Sequence, residues 1–272
     1  MTGYDDRFYA GFGLMYNPFA KNNADKFRYD NKDCRELRVR LDHLFETKGI
    51  GLVVGSPGLG KTSLVREYAG KLNRSLYKVV YISMSTLSEC DFIYNMVTMM
   101  GYEPTCKKSA NIKTIQKAII DYADNKKMTP VIIFDEANYL SSSFLNDLKM
   151  ILNFRMDSYD RFVVLLVGLP VLVSNLHVAA QEPLRQRIIM NYTFDGMDRE
   201  EVKEYISGKL EKAGGSRNIF DEGAIQAICN ITHCNPRLID NLMTYSLMIA
   251  ASSHTQRITP EIVEQASLEI MN

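Results

Sequence analysis

No charge of either sign dominates this chain: 32 lysines and arginines balance 32 aspartates and glutamates. Zero net charge excludes strong unspecific attraction to DNA or to acidic membranes. Any nucleic-acid contact must then come from a local patch, or from many copies acting together. A disulfide framework is also missing. The five cysteines (Cys34, Cys90, Cys106, Cys229 and Cys234) are odd in number and scattered, which fits reduced thiols in a cytoplasm. Cys229, His233 and Cys234 lie close together in a helical stretch, but no second ligand cluster stands at zinc-site spacing, and they read better as part of a small apolar helix face. The N-terminus does not read as a secretory signal, because Asp5, Asp6 and Arg7 interrupt any apolar stretch there. The one long stretch nearly free of charge, residues 162–180, is broken by Gly168, Pro170, Ser174, Asn175 and His177. It reads as a buried strand, a turn and a short helix rather than a membrane span. Internal repeats and low-complexity tracts are absent. The 272 residues, 46% hydrophobic and 24% charged, suffice for one large domain or a core with a small second domain.

Against this plain background one segment is highly specific. Residues 55–62 read Gly55-Ser56-Pro57-Gly58-Leu59-Gly60-Lys61-Thr62, followed by Ser63. An apolar run, residues 50–54, precedes them and a helical pattern follows. Such a loop turns its backbone N–H groups toward phosphate oxygens at the positive end of a helix dipole. Lys61 can reach the outer phosphates and the Thr62 hydroxyl can ligate Mg²⁺. ATP and Mg²⁺ are therefore the expected ligands.

The remaining pattern alternates short apolar strands with helices. Strands are expected at residues 50–54, 77–83, 131–134, 162–167 and 188–194, with helices at 33–47, after the loop, at 89–100 and at 111–125. Ser141 to Ser143 offer an N-cap for another helix through Leu152. That order argues for an α/β fold with a five-stranded parallel sheet covered on both faces. Beyond residue 194 only helices are expected, at 199–213, 222–232, 236–251 and 260–271. We place the boundary near 194–198, giving a nucleotide-binding core over residues 1–195, N-terminal extension included, and a small all-α lid over 196–272.

The second strong signal is Val131-Ile132-Ile133-Phe134-Asp135-Glu136. Two acids emerge at the carboxyl end of an apolar strand, where open α/β sheets bind ligands. Asp135 suits the Mg²⁺ held by Thr62, and Glu136 suits activation of the water that attacks the γ-phosphate.

With these motifs the chain resembles the AAA+ P-loop ATPases over almost its whole length, and most closely the transposition-associated branch that includes TnsC, TniB and the ExeA-type proteins. The resemblance rests on Phe12-Gly13-Leu14 with Asn17-Pro18-Phe19, on the phosphate loop and Asp135-Glu136, on residues 165–170 at the strand that carries sensor 1, and on Pro183-Leu184-Arg185-Gln186-Arg187-Ile188 with Asn235-Pro236-Arg237. It implies that Arg187, with Arg185 as the alternative, is an arginine finger reaching a neighbouring subunit's nucleotide. It also implies that Arg237 is the sensor 2 residue of the lid, touching the nucleotide phosphates. Asn17-Pro18-Phe19 would lie beside the adenine, although plain core packing explains an aromatic there equally well. The sequence departs from the family at sensor 1. Gly168 and Leu169 carry no polar side chain, so a backbone group or a neighbouring residue has to position the water, and slow or assembly-dependent hydrolysis follows.

Residues 101–130 hold six lysines against three acids. In TnsC-like ATPases the helices of this region face DNA, which makes Lys107, Lys108 and Lys113 candidates for sequence-independent phosphate contacts; a solvated helix face is the alternative. The implied function is a cytoplasmic, homo-oligomeric regulator of DNA transposition, a ring or helical filament on double-stranded DNA. It would recruit or activate a DDE-type transposase, with a target-selection protein as a further candidate partner, and hydrolysis would disassemble it. Two other functions compete: an ExeA-like envelope or secretion-assembly ATPase, from which the end of the chain at Asn272 argues away, and an initiator- or loader-type nucleotide switch with little hydrolysis. No membrane partner is expected.

Overall fold

The computed structural model describes residues 8–83, 88–152, 161–216 and 219–271. Its internal contacts divide the chain into two units: Glu36–Phe194, and the segment up to Arg35 together with everything from Asp195 onward.

The first unit is built on five strands among the described residues: β1 (Gly49–Gly55), β2 (Tyr77–Ser83), β3 (Thr129–Asp135), β4 (Val163–Gly168) and β5 (Ile188–Phe194). All pair in parallel, in the order β2-β3-β4-β1-β5. Every residue of β1 and β4 is buried, as expected when helices cover both faces and no polar face is needed. The connections carry α1 (Lys32–Thr47), α2 (Lys61–Lys71), α3 (Glu89–Met99), α4 (Lys108–Ile120), α5 (Ser142–Leu152), α6 (Val171–Leu176) and the single turn α7 (Glu182–Arg185). Ser141 caps α5, accepting the Phe144 N–H at 3.0 Å. The helix expected at 111–125 starts earlier, at Lys108, and its last turn is π-helical, Asp121–Asn125.

One aromatic cluster bears directly on the site. Phe134, fully buried just before the two acids, stacks on Phe92 of α3 at 5.4 Å and meets Phe144 of α5 at 6.0 Å; Phe92 and Phe144 are edge-to-face at 4.6 Å. Rings at these separations prefer such offset and T-shaped geometry. Two helices thereby clamp the strand end that delivers Asp135 and Glu136.

The second unit is helical: α8 (Arg199–Lys212), α9 (Glu222–Thr232), α10 (Pro236–Ser252) and α11 (Pro260–Met271). Asp198 and Glu201 form a capping box at the start of α8. The N-terminal segment packs here instead of joining the sheet. Phe12, Leu14 and Phe19 share a core with Leu210, Leu242 and Met243, and the Met15 N–H donates to the Ala213 carbonyl at 2.8 Å. Phe19, 3% exposed, is packed in that core.

Candidate functional site

Parallel strands bring their carboxyl ends to one edge of the sheet. Gly55, which opens the phosphate loop, ends β1; Asp135 ends β3; Gly168 ends β4, which lies between them. The register pairs Val54 with Gly168, so the loop and the end of β4 stand level.

The loop has the backbone that its glycines permit. Gly58 and Gly60 have φ of 86° and 92°, in the left-handed region that costs other residues energy. Gly60 is the residue from which α2 departs, so the helix N-terminus opens toward the loop. The buried Lys61 ammonium donates to the carbonyls of Gly55 and Ser56 at 2.7 and 2.8 Å, which holds it against the first turn of the loop.

Thr62 and Asp135, 73 positions apart in sequence, meet here. The Thr62 hydroxyl donates to Asp135 Oδ1 at 3.1 Å. Asp135 is 4% exposed, and a buried carboxylate must be satisfied by donors. Besides Thr62 it takes the Glu136 N–H at 3.0 Å and the Tyr81 hydroxyl. Arg66 Nε in turn donates to Tyr81 at 3.0 Å, with its guanidinium 5.1 Å from the ring. Burial and the bond to Asp135 push the Tyr81 phenol well above its ordinary range, so Tyr81 stays a donor. Neither Tyr81 nor Arg66 was foreseen. Their role depends on β2 lying beside β3, with Tyr81 paired to Ile133, and periodicity does not report strand order. Glu136 sits half-buried at φ 58°, ψ 36°, a left-handed conformation that is rare for a non-glycine residue and concentrated at functional sites.

The end of β4 has no polar side chain, and the structure explains why. A β-carbon on Gly168 would lie 2.9 Å from Asn138 Oδ1 and 3.1 Å from the Asn138 nitrogen. Asn138 itself is fixed by the Leu169 N–H, which donates to its Oδ1 at 3.0 Å. Gly168→Ala is therefore expected to cost about 1–3 kcal/mol as an overpacked site, read as a lower urea midpoint; an unchanged midpoint would mean that the turn yields freely.

Arg185 pairs with Glu182, and Arg187 Nη1 donates to the Leu152 carbonyl at 3.3 Å. Both are half-buried, and each holds a partner within its own chain. Arg237 is exposed at the start of α10, where Asn235 caps the helix by accepting the Arg237 N–H at 3.1 Å. Of the three lysines, Lys107 and Lys113 are exposed. Lys108 is half-buried. Its ammonium pairs with Asp147 and, at 3.4 Å, with Glu89, and the hydrogen bond to Asp147 raises its pKa. Two carboxylates already neutralise it, and both come from other helices, out of reach of a local charge count.

Residues 42–176 match the model of the AAA domain. The structure resembles the Aeropyrum pernix ORC2 protein in its ADP form, with TM-score 0.61 and 17% identity over 93% of this chain and 72% of that one. It also resembles Drosophila ORC bound to DNA, with TM-score 0.65 and 16% identity over 100% and 68%. This is the AAA+ P-loop fold. The stretch matched by the AAA-domain model holds the phosphate loop, Asp135, Glu136 and Asn138, whereas Arg185, Arg187 and Arg237 lie beyond it. In sequence the chain is 26% identical to the general secretion pathway protein A of Aeromonas hydrophila over 265 residues, which is 95% of this chain but 48% of that protein. Among the described residues no helix is long and apolar enough to cross a membrane.

Proposed function

We propose that this chain binds ATP with Mg²⁺ at residues 55–63 and hydrolyses it, and that it does so as a homo-oligomer on double-stranded DNA, regulating DNA transposition by recruiting or activating a DDE-type transposase. The observation that carries the catalytic part is the hydrogen-bonded pair Thr62–Asp135 at the strand ends, with Glu136 on the next residue. A hydroxyl and a buried carboxylate already 3.1 Å apart form a donor set of the hard oxygen type that Mg²⁺ takes. When bound, that ion neutralises phosphate charge. The chain's own groups do the rest. Loop N–H groups and Lys61 hold the phosphates. Asp135 is oriented by Tyr81 and the Glu136 N–H, and the Glu136 carboxylate accepts the proton of the attacking water. Arg187, or Arg185, would give up its intrachain partner to reach a neighbouring nucleotide and stabilise transition-state charge, which makes turnover depend on assembly. Arg237 is the candidate lid contact to the phosphates.

Exposed Lys107 and Lys113 support DNA contact, as does the likeness to an origin-recognition complex bound to DNA. Electron microscopy with DNA and a non-hydrolysable ATP analogue tests this reading: rings or filaments on DNA are expected. Lys107→Glu with Lys113→Glu should weaken DNA affinity about tenfold or more and flatten its salt dependence by a slope of about 2. Monomers that ignore DNA would remove the proposal. A second reading, a nucleotide-driven secretion or envelope-assembly factor, draws on the similarity to general secretion pathway protein A over 95% of the chain. It predicts nucleotide-dependent assembly indifferent to DNA in the same experiment.

A further inference from the structure

Asn138 occupies the place that a side chain on β4 would fill, and its two carboxamide branches have different surroundings. A backbone N–H only donates, so the atom facing Leu169 is the carboxamide oxygen, and the orientation of the amide follows from chemistry. The Nδ2 group is the other branch. It makes no hydrogen bond among the described residues, and the half-buried side chain does not seal it from solvent. A free NH₂ on an anchored carboxamide is a preorganised donor.

Its position is equally constrained. Asn138 lies in the 3₁₀ turn Ala137–Tyr139, two residues beyond Glu136. That turn is pinned at both ends, by the Tyr139 N–H donating to the Glu136 carbonyl at 3.0 Å and by the Leu140 N–H donating to Ala137 at 3.1 Å. Leu169, which holds the carboxamide, follows Gly168, and Gly168 is level with Val54 at the entrance to the phosphate loop. The amide is thus tied to the strand end between the loop and the acids.

We propose that Asn138 Nδ2 donates a hydrogen bond to a terminal phosphoryl oxygen of bound ATP, supplying from the β3 turn the polar contact that β4 cannot make. The idea rests on the ATPase reading above and deepens it by assigning the sensing of the third phosphate to a residue outside the strand where it was sought. The glycine at 168 then belongs to the same device, since it clears the space for Asn138. A neutral donor aimed where negative charge grows stabilises the transition state without reorganising, and such donors contribute rate factors of about 10²–10³.

The test uses the full chain and two variants. Asn138→Asp keeps an oxygen for the Leu169 N–H but replaces the donor with a second acceptor. Asn138→Ala removes both. Melting temperature, ADP affinity, ATP affinity and steady-state phosphate release are measured with DNA present. Asn138→Asp should melt with the parent and bind ADP as the parent does, while its turnover falls about a hundredfold and its preference for ATP over ADP shrinks. Asn138→Ala should lose turnover similarly and melt lower. Parental turnover and parental ATP preference in Asn138→Asp would overturn the assignment. So would equal loss of ADP and ATP binding in both variants, which would make Asn138 scaffolding. If the parent itself released no phosphate, the ATPase reading would fall separately, and the ATP-to-ADP affinity ratio of Asn138→Asp would still decide the role of the amide.

Discussion

Glu136→Gln is expected to lower ATP turnover by about 10²–10⁴, the usual contribution of a positioned general base, and to leave ATP binding close to that of the parent. The substitution preserves shape and removes only the ability to hold a proton, because an amide oxygen accepts a hydrogen bond but not the charge. The backbone at 136 gives the side chain no freedom to be replaced by a neighbour. Its N–H is bound to Asp135 Oδ1 and its carbonyl to the Tyr139 N–H, both at 3.0 Å. Its left-handed φ of 58° is held against a steric cost of about 1–3 kcal/mol. The surrounding turn over-determines this conformation, and the variant inherits it. Phosphate release under saturating ATP, with nucleotide binding measured in parallel, checks the result. Turnover equal to the parent's would place the proton acceptor elsewhere. Equal and negligible turnover in both proteins would favour a nucleotide switch that hardly hydrolyses.

The parts of this site that the sequence disclosed are those set by local rules. β2 and β5 span residues 77–83 and 188–194, as their apolar runs indicate, and the loop and Asp135 were found because phosphate chemistry demands particular residues at particular spacings. What stayed hidden depends on strand order. The bond from Tyr81 to Asp135 needs β2 beside β3, and the bond from Leu169 to Asn138 needs β4 beside β3. A missing polar residue at 168 was visible, but the residue filling its space was not, because that is a contact across 30 positions between two turns. The N-terminal segment illustrates the same limit at larger scale. Its two 3₁₀ turns, Phe8–Phe12 and Lys21–Lys26, carry no periodic apolar face. The partners of Phe12, Leu14 and Phe19 are helices near the other end of the chain, and local sequence does not report contacts at that separation. Lys108 shows the same limit in its charge. Its local surroundings are basic, and its charge is answered from α3 and α5.

The helical unit pairs a buried lysine with a half-buried aspartate, and Asp240→Ala should destabilise it by about 3–5 kcal/mol, the cost of leaving a buried charge unpaired. Lys209 is 2% exposed. Its ammonium meets Asp240 Oδ1 at 2.7 Å, and the Tyr205 hydroxyl donates to the same oxygen at 2.7 Å. The rings of Tyr205 and Phe19 stand 4.7 and 5.4 Å from the ammonium. Burial is the largest influence on both partners: it holds Lys209 below the ordinary lysine range and Asp240 above the ordinary carboxylate range, against their mutual attraction. The sign follows. A raised carboxyl pKa gives stability that is complete below the unfolded value and is lost as pH rises through the folded one. A lowered lysine pKa is a penalty that lifts as pH rises past the folded value. At neutral pH the ionised pair is thus a net desolvation cost, kept because breaking it costs more. Tyr205→Phe, Lys209→Met and Asp240→Leu together remove the charges and the hydroxyl that needs them, and this triple variant should match or exceed the parent in stability, by up to about 4 kcal/mol. Urea unfolding of the full chain, followed near neutral pH, compares the two. A loss below about 1 kcal/mol for Asp240→Ala, within the range of an exposed pair, would mean that water reaches Lys209 and that the pair is not buried in solution.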